Sequence, residues 1–355
     1  MRPLLWLGLA ALLLTAAAAY RMLSEVQESR QKNRLGDGSD PASYQFDLDP
    51  MALPEGSIVA SGLPRDGIES LLHPPVYSVE TVRSFHGRSK YLVTSDRVIG
   101  VTIHGASRAY PLQILDWHEM VNDTLGGEPI LVTYSPLTDG VGVFSRRIPN
   151  AGGRVGEFGV SGLLWGGNLL FYDRTETPGE GGESLWSQLL ARAVTGPAMG
   201  DSLTLLPSQL VAWEDWLARN PKTTAMGRDE TKLAIYIRRP YNSYFGNDEI
   251  RFPAQPLPPR ERLRFKEPVV VVDEGGVRRV YPLVTIAENA DPRGIWETES
   301  GGVPIRFYYR AGDPATAWFE RIDRLPSPLA RHSFWFAWYF SHPDDPVEFP
   351  KTPRT

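Results

Sequence analysis

The chain has 355 residues, of which 42% are hydrophobic and 22% charged, with a formal net charge of -5 and no cysteine. The negative charge argues against a nucleic-acid partner, which would require a basic surface. The absence of cysteine excludes thiolate nucleophiles, thiol redox chemistry and any thiol-ligated metal or cluster, so the cofactor stays unknown.

Residues 1–23 predict a signal peptide or an N-terminal membrane anchor. A basic start precedes an apolar run over residues 4–20, and the small residues Ala17–Ala19 resemble a cleavage site. The run is slightly short for a spanning helix, but helix-forming residues continue without a break to Arg34, which favours an uncleaved anchor in the inner membrane. We therefore expect an exported protein on the periplasmic or extracytoplasmic face.

A polar linker is predicted over residues 24–45, because Gly36–Pro41 is turn-prone and poor in apolar side chains. A single folded domain is then expected over residues 46–349, long enough to bury a substantial core.

Two sequence blocks recur in the same order. Gly105–Leu112 and Gly276–Leu283 share an Arg-x-Tyr-Pro-Leu ending, and Gly126–Ile130 is matched by Gly301–Ile305. These blocks predict internal repeats near residues 98–147 and 269–319. Two copies are too few for a solenoid, so a pair of pseudo-repeated units is expected.

The repeats are rich in strand signals. β-branched runs at Val98–His104 and Val269–Asp273 end in glycine-containing turns, and each is followed by a second extended segment. We expect an α+β fold, predominantly antiparallel β, in which two pseudo-repeated β-rich units flank a middle strand and helix section over residues 154–236.

Tryptophan pairs mark two further elements. Trp213 and Trp216 are expected on an amphipathic helix, whereas Trp335 and Trp338 are expected in an aromatic strand.

The two units differ after Tyr-Pro-Leu. In the first, Ile114–Asp123 is predicted to be a helix with Asp116 as its N-cap. In the second, Pro292 and Gly294 argue against a helix in the corresponding stretch. Polar residues present in only one unit are the better functional candidates.

Several motifs resemble a bacterial domain-of-unknown-function family, number 3179. The resemblance runs from about Ile68 to Pro343 and rests on Arg108–Leu112, Trp117–Asp123, Phe158–Leu164, Tyr172–Arg174, Ser184–Gln188 and Phe334–Trp338 with His342. It implies no activity, because the family has no established function.

One departure from this family concerns chemistry. Family members typically carry Cys-Pro-Leu-Cys after the strand that contains Tyr134, and such cysteines near a histidine indicate a soft-metal or thiol-redox site. The corresponding residues here are Ser135 and Thr138, so this chain has lost or changed that chemistry. A second departure is the flexible insertion Pro178–Gly182.

The candidate catalytic residues are His118, Glu119 and Asp123. A zincin motif would need histidine where Asn122 stands, and neighbours on a helix point apart, so His118 and Glu119 would not converge as an acid–base pair. Two alternatives remain open. Either His118 or Glu119 faces a pocket, or His118 is a buried histidine whose hydrogen bonds are satisfied by nearby backbone. For a metal, His118 with His342 is the combination to test.

Ligand-binding candidates form two groups. Asn122, Ser135, Thr138 and Asp139 lie near the predicted helix. The others are Asp173, Arg174, Trp186 and Gln188, which would line a cleft or alternatively fix a loop.

Two classes of function follow. The first is a non-catalytic envelope protein that binds a small ligand, a metal or a partner protein. The alternative is a hydrolytic or metal-assisted enzyme that uses His118 and Glu119 with nearby hydroxyls and carboxylates. The missing cysteines favour the first.

Overall fold

The computed structural model describes residues 35–85, 91–150, 152–312, 314–323 and 328–351. The predicted signal or anchor at residues 1–23 lies outside these ranges. Within them, no helix is both long enough and apolar enough to cross a membrane.

Short strands separated by tight turns make up most of the described chain. The strands are β1 Ile58–Ala60, β2 Leu71–Leu72, β3 Val76–Ser78, β4 Arg97–Ile103, β5 Ala106–Pro111, β6 Met120–Leu125, β7 Glu128–Ser135, β8 Gly140–Ser145, β9 Phe158–Trp165, β10 Asn168–Asp173, β11 Leu185–Ser187, β12 Arg192–Ala193, β13 Ser208–Ala212, β14 Thr224–Met226, β15 Pro268–Glu274, β16 Val277–Pro282, β17 Ile295–Ser300, β18 Val303–Arg310, β19 Thr316–Arg321 and β20 Leu329–Phe334. The α-helices are α1 Val79–Ser84, α2 Leu112–His118, α3 Trp213–Arg219, α4 Leu233–Tyr236, α5 Asn242–Phe245, α6 Leu283–Asn289 and α7 Trp335–Ser341.

The strands form four sheets, with the orders β13-β4-β5-β14-β3, β16-β15-β20-β8-β7-β6-β2, β1-β9-β10-β11-β12 and β17-β18-β19. Among the described pairings, β5–β14 and β2–β6 are parallel and the others are antiparallel. The prediction of an α+β fold dominated by antiparallel strands is therefore confirmed.

Two segments have the same order of elements. In the first, β4, β5, α2, β6, β7 and β8 are later completed by β13 and α3. In the second, β15, β16, α6, β17, β18 and β19 are completed by β20 and α7. β13 pairs with β4 as β20 pairs with β15, so each segment contains one hairpin with an added strand and one three-stranded meander.

Tight turns set the register of these hairpins. Gly126 and Gly127 both have positive φ angles, as do Gly301 and Gly302 at the matching turn of the second segment. Two successive positive φ angles are the signature of the type I′ turn, whose twist matches that of paired strands. This requirement explains why the recurring blocks contain paired glycines.

The core of each segment lies between its hairpin sheet and its meander. In the first, Ile99 and Tyr110 belong to one cluster with Val132 of β7, and in the second Tyr281 belongs to a cluster with Phe307 of β18. The first meander is also covered on its other face by β9–β11, where Phe144 packs against Phe171. Burial on both faces accounts for the continuous apolar character of β7 and β8.

Two helix predictions are wrong in instructive ways. The helix predicted over Ile114–Asp123 ends at His118, and Asp116 lies inside it rather than at its N-cap. Asn122 and Asp123 belong instead to β6, because Met120–Leu125 pairs residue by residue with β7. The second segment does contain the corresponding helix, α6, which ends at Asn289, before the proline and glycine that were taken to forbid it.

The second tryptophan pair lies on a helix, not on a strand. Trp335 and Trp338 lie on α7, directly after β20, as Trp213 and Trp216 lie on α3 directly after β13. Trp335 through Trp338 are all buried, so no polar position reveals the helical period.

The folded body includes residues that were assigned to the linker. Tyr44 is fully buried, and its hydroxyl donates to the carbonyl oxygen of Leu63 at 2.6 Å. The amide of Arg65 donates to the carbonyl of Leu35 at 2.8 Å, so the chain from Leu35 onward packs against the domain.

Candidate functional site

Glu119 occupies the junction between α2 and β6. Its amide donates to the carbonyl of Leu115 at 2.8 Å, and its φ of 54° is left-handed, a common way to end a helix. Its carbonyl accepts a hydrogen bond from the amide of Tyr134 at 2.7 Å. The residue thus turns the chain from a helix directly into a sheet.

The matching position in the second segment is a glycine. Gly294 precedes β17, has a φ of 79°, and accepts from the amide of Tyr309 at 2.7 Å. Glycine adopts this conformation without strain, whereas any other L-residue costs about 1–2 kcal/mol there. The left-handed backbone of Glu119 therefore costs free energy that the glycine at the matching position avoids.

The carboxyl group of Glu119 is buried and unpaired. The residue is 9% exposed, and no described residue makes a hydrogen bond to its side chain. Burial, together with the like charge of Asp116, raises the pKa of Glu119 to about 8. At neutral pH the group is therefore mainly a neutral carboxylic acid that is ready to ionise.

This carboxyl lines a cavity of about 150 Å³ whose other walls are mainly apolar. The remaining lining residues are Ser61, Leu63, Pro64, Ile68, Leu137, Val160, Gly162, Leu163, Leu164, Leu169, Tyr241, Arg251 and Phe252. They come from the loop after β1, from β9 and β10, from the turn after β7 and from the stretch around α5. We call this space the Glu119 cavity.

A larger and more polar cavity of about 700 Å³ lies beside it, and Tyr241 lines both. Asp116 lines the larger cavity and makes no hydrogen bond with a described residue. Burial raises the pKa of Asp116 to about 7, although Arg97 and Arg239 act in the opposite direction. Burial and the neighbouring carboxyls also raise the pKa of Tyr241, so its hydroxyl stays protonated.

His118 has both ring nitrogens occupied. Nδ1 lies 2.7 Å from the carbonyl oxygen of Glu69, and Nε2 lies 2.9 Å from the hydroxyl of Tyr236. A carbonyl can only accept, so Nδ1 carries the proton and Tyr236 donates to Nε2. Burial lowers the pKa of His118, which keeps the ring neutral. His118 thus tethers α2 to α4 and to the chain before β2.

His342 is held elsewhere. Its ring stacks on Trp338 with centroids 4.3 Å apart, and Nδ1 lies 2.8 Å from the hydroxyl of Ser341. Burial lowers the pKa of His342 to about 3. His118 and His342 share neither a hydrogen-bonding partner nor a cavity. Among the described residues, no three histidine, aspartate or glutamate side chains converge as metal ligands.

Asn122 and Asp123 connect strands. The Asn122 amide exchanges two hydrogen bonds with the backbone of Phe158, at 2.8 and 2.9 Å, and so links β6 to β9. Asp123 accepts from Arg108 at 2.5 Å and from the hydroxyl of Tyr110 at 2.8 Å. These contacts give the Arg-x-Tyr-Pro-Leu block a structural role.

The residues that stand in place of the family cysteines belong to a buried hydrogen-bond network. The Oγ1 of Thr138 accepts from the side chain of Asn168 at 2.8 Å, and Asn168 also donates to Gln188 at 2.7 Å. Ser135 accepts from the amide of Leu169 at 3.4 Å. This turn reaches the Glu119 cavity only through Leu137.

The remaining candidates line neither cavity, with one exception. Asp173 accepts from the indole of Trp186 at 3.0 Å, and Arg174 pairs with Asp66 at 2.7 Å. Trp186 is fully buried in the core and lines neither cavity. Asp139, by contrast, lines the larger cavity and pairs there with Arg97 at 2.7 Å.

Sequence reasoning singled out Glu119 but missed its neighbours. Asp116 was read as a helix cap, and Tyr241 lies more than 100 positions further along the chain. The three-residue spacing of Asp116 and Glu119 across the end of a helix was the available signal, since such residues are neighbours.

Comparison with known proteins gives a family and no function. Neither a curated protein nor a solved structure matches the chain. The family model for proteins of unknown function numbered DUF3179 matches residues 65–345, which is most of the chain. The features that departed from the family in the sequence, above all Ser135 and Thr138, are thus variations within it: the chain belongs to the DUF3179 family.

Proposed function

We propose that the protein binds a small molecule in the Glu119 cavity and is not primarily a catalyst. The observation that carries this proposal is the buried, unpaired carboxyl of Glu119, held in a conformation that favours glycine. This carboxyl has no hydrogen-bonding partner among the described residues and the residue lines a cavity, so a ligand could supply the missing partner.

The size of the cavity supports a small ligand. A mainly apolar space of about 150 Å³ accommodates one six-membered ring. Apolar walls with a few polar groups are typical of small-molecule sites. Glu119, Tyr241 and Arg251, with the smaller Ser61, provide the polar side chains here that would orient the ligand.

The alternative, an enzyme that uses His118 and Glu119 together, has less support. His118 hydrogen-bonds to Glu69 and Tyr236 and is absent from the wall of the Glu119 cavity. An acid–base pair must reach the same reacting group.

We further propose that the protein is exported and anchored, and that its two similar segments arose by duplication. The basic and apolar pattern of residues 1–23 supports the first point. The shared order of elements and the matched positions of Glu119 and Gly294 support the second. Protease treatment of spheroplasts tests export, since an extracytoplasmic domain would be digested without lysis.

Three ring compounds that differ mainly in charge test the proposed function: benzylamine, benzyl alcohol and benzoate. Isothermal titration calorimetry on the full chain should detect binding of at least one. Val160→Phe fills the cavity from β9 and should abolish that binding, as should Leu137→Phe from the turn after β7. Val155→Phe is the matched control, because Val155 is exposed and lines neither cavity.

The result that would overturn the proposal is equally plain. If none of the three compounds binds the wild-type chain, or if binding survives in both filled variants, the Glu119 cavity is not a ligand site. Thermal unfolding of each variant shows whether a loss of binding reflects a loss of fold.

A further inference from the structure

We infer that the ligand of the Glu119 cavity is an organic amine in its protonated form, with a small apolar body. This inference rests on the proposed function and specifies the chemical class of the ligand. It follows from which charges are present around the cavity and which are already paired.

Glu119 has no positively charged partner among the described residues. The charge that acts on it, among the described residues, is the like charge of Asp116. Arg251 lines the same cavity, but its guanidinium lies against the ring of Tyr244, 5.3 Å from the centroid. A ligand cation would therefore meet an uncompensated carboxyl.

Asp116 adds a second carboxyl whose charge acts at the Glu119 cavity. The two arginines that act on it are each engaged by another carboxylate: Arg97 pairs with Asp139 at 2.7 Å, and Arg239 pairs with Asp96 at 3.1 Å. Two carboxyls three positions apart thus lack dedicated partners. Opposite charge is the complement of such a site.

The cavity suits an organic amine better than a metal ion. A divalent cation of the calcium type requires six to eight oxygen ligands, usually several of them carboxylates. No described group of three or more histidine, aspartate or glutamate residues could supply a core for such a set. The leucine side chains of the walls suit the carbon skeleton of an amine, and the hydroxyl of Tyr241 supplies a hydrogen-bond acceptor at the boundary with Asp116.

Binding of the amine is coupled to release of the Glu119 proton. The titratable or charged groups that line the cavity with Glu119 are Tyr241 before α5 and Arg251 after it, and Asp116 acts from α2. At neutral pH, Glu119 must release a proton before it can pair with an ammonium group. Binding of the amine should therefore release a proton and strengthen as the pH rises towards 8.

The experiment compares the same three ring compounds with the full chain at pH 6, 7 and 8. Because a charged hydrogen bond adds more than a neutral one, benzylamine should bind about tenfold to a hundredfold more tightly than benzyl alcohol at pH 8, with benzoate weakest. Its affinity should rise by up to about tenfold per pH unit below the pKa of Glu119. Titration in buffers of different ionisation enthalpy measures the released proton.

Glu119→Gln keeps the shape of the side chain and removes its charge. The substitution should weaken benzylamine binding at least about tenfold and remove most of its pH dependence, with Asp116 causing the remainder, while benzyl alcohol binds as before. Glu55→Gln, at an exposed glutamate, is the matched control and should leave all affinities unchanged.

The outcomes separate the two proposals. If benzyl alcohol or benzoate binds as tightly as benzylamine, or if Glu119→Gln retains full affinity for benzylamine, the amine inference fails and the cavity remains a ligand site. Calcium binding that disappears in Glu119→Gln would overturn it as well. If none of the three compounds binds, both proposals fail together.

Discussion

At the scale of single residues, Glu119 is destabilising in two ways. Its left-handed backbone and its buried carboxyl both oppose folding, and the matching Gly294 shows a residue type that avoids the first. Sites kept for binding often retain such residues at the expense of stability. The pH dependence of stability should therefore reveal the group.

The first prediction concerns Glu119→Gln and the pH dependence of unfolding. The pKa of Glu119 is raised from 4.5 to about 8, so between these values the folded state holds a proton that the unfolded state releases. The contribution of Glu119 to the free energy of unfolding is therefore greatest below pH 4.5 and falls as the pH rises towards 8. Urea unfolding measures the free energy of unfolding at pH 5 and at pH 8.5. Between these two pH values, it should decrease by on the order of 4 kcal/mol more in the wild type than in the variant.

The comparison has a control and a clear contrary outcome. Asp116, whose pKa is also raised, should leave a smaller fall of the same sign in the variant. Glu55→Gln should behave as the wild type does. If the free energy of unfolding of Glu119→Gln falls with pH as steeply as that of the wild type, the carboxyl of Glu119 is not buried as described.

The second prediction assigns His118 a structural role. His118→Ala leaves the carbonyl of Glu69 and the hydroxyl of Tyr236 without their partner, so the free energy of unfolding should drop by about 1–3 kcal/mol. Metal content by elemental analysis should be the same in both proteins. Metal that is present in the wild type and lost in the variant would contradict this role.

Sequence reasoning found the His118–Glu119 pair but could not separate the two roles. The distinction depends on the left-handed turn at Glu119, and glutamate is not one of the residue types that are enriched in that conformation. Tyr236 and Tyr241, which contact or face the pair, are distant in sequence. Contacts of this kind leave no local pattern.

At the scale of elements, the turn signals and helix α3 were predicted correctly, whereas α2, α6 and α7 were not. The glycine pairs before β7 and β18 predict tight turns because few other residues adopt two successive positive φ angles. Helices α2, α6 and α7 have seven residues each, as α3 does, so an amphipathic period covers only about two turns and gives a weak signal. Their positions are set by packing against the sheets, which is a tertiary effect.

The third prediction concerns how α3 packs on its sheet. Gly100 lies on β4, and a Cβ atom there would stand 2.2 Å from Cε3 of Trp216. Gly100→Ala should therefore destabilise the protein by about 1–3 kcal/mol, because the ring of a fully packed tryptophan has no room to shift. Urea unfolding measures the change. Gly246→Ala is the control, because the atom nearest to the new Cβ there is the carbonyl oxygen of Asn242 at 3.4 Å. Equal stability of the two variants would show that α3 packs differently.

At the scale of the whole molecule, the seven-stranded sheet joins the two similar segments through β20 and β8. The Glu119 cavity is not formed by either of the two similar segments alone. Most of its walls come from the loop after β1, from β9 and β10, and from the stretch around α5, whereas Glu119 and Leu137 are supplied by the first segment. Comparison of the segments located Glu119 but could not locate the rest of the cavity, because those walls have no counterpart in the repeated order of elements.

The last prediction is that residues 35–45 belong to the folded body and support the cavity. Tyr44 is fully buried and holds the carbonyl of Leu63, whose neighbour Pro64 also lines the cavity. A chain without residues 1–45 should be less stable than a chain without residues 1–34 by at least about 3 kcal/mol, the usual effect of removing a large buried aromatic side chain.

Benzylamine affinity should fall in the shorter chain and stay at the full-chain value in the longer one, since Leu63 keeps its place only while Tyr44 holds it. Tyr44→Phe provides a milder test should the shorter chain fail to fold, because it removes only the hydroxyl bond and should cost about 1 kcal/mol. Urea unfolding and calorimetry measure both effects. Equal stability and equal affinity of the two truncated chains would mean that residues 35–45 do act as a linker, and that the loop from Leu63 to Ile68 is held by β9 alone.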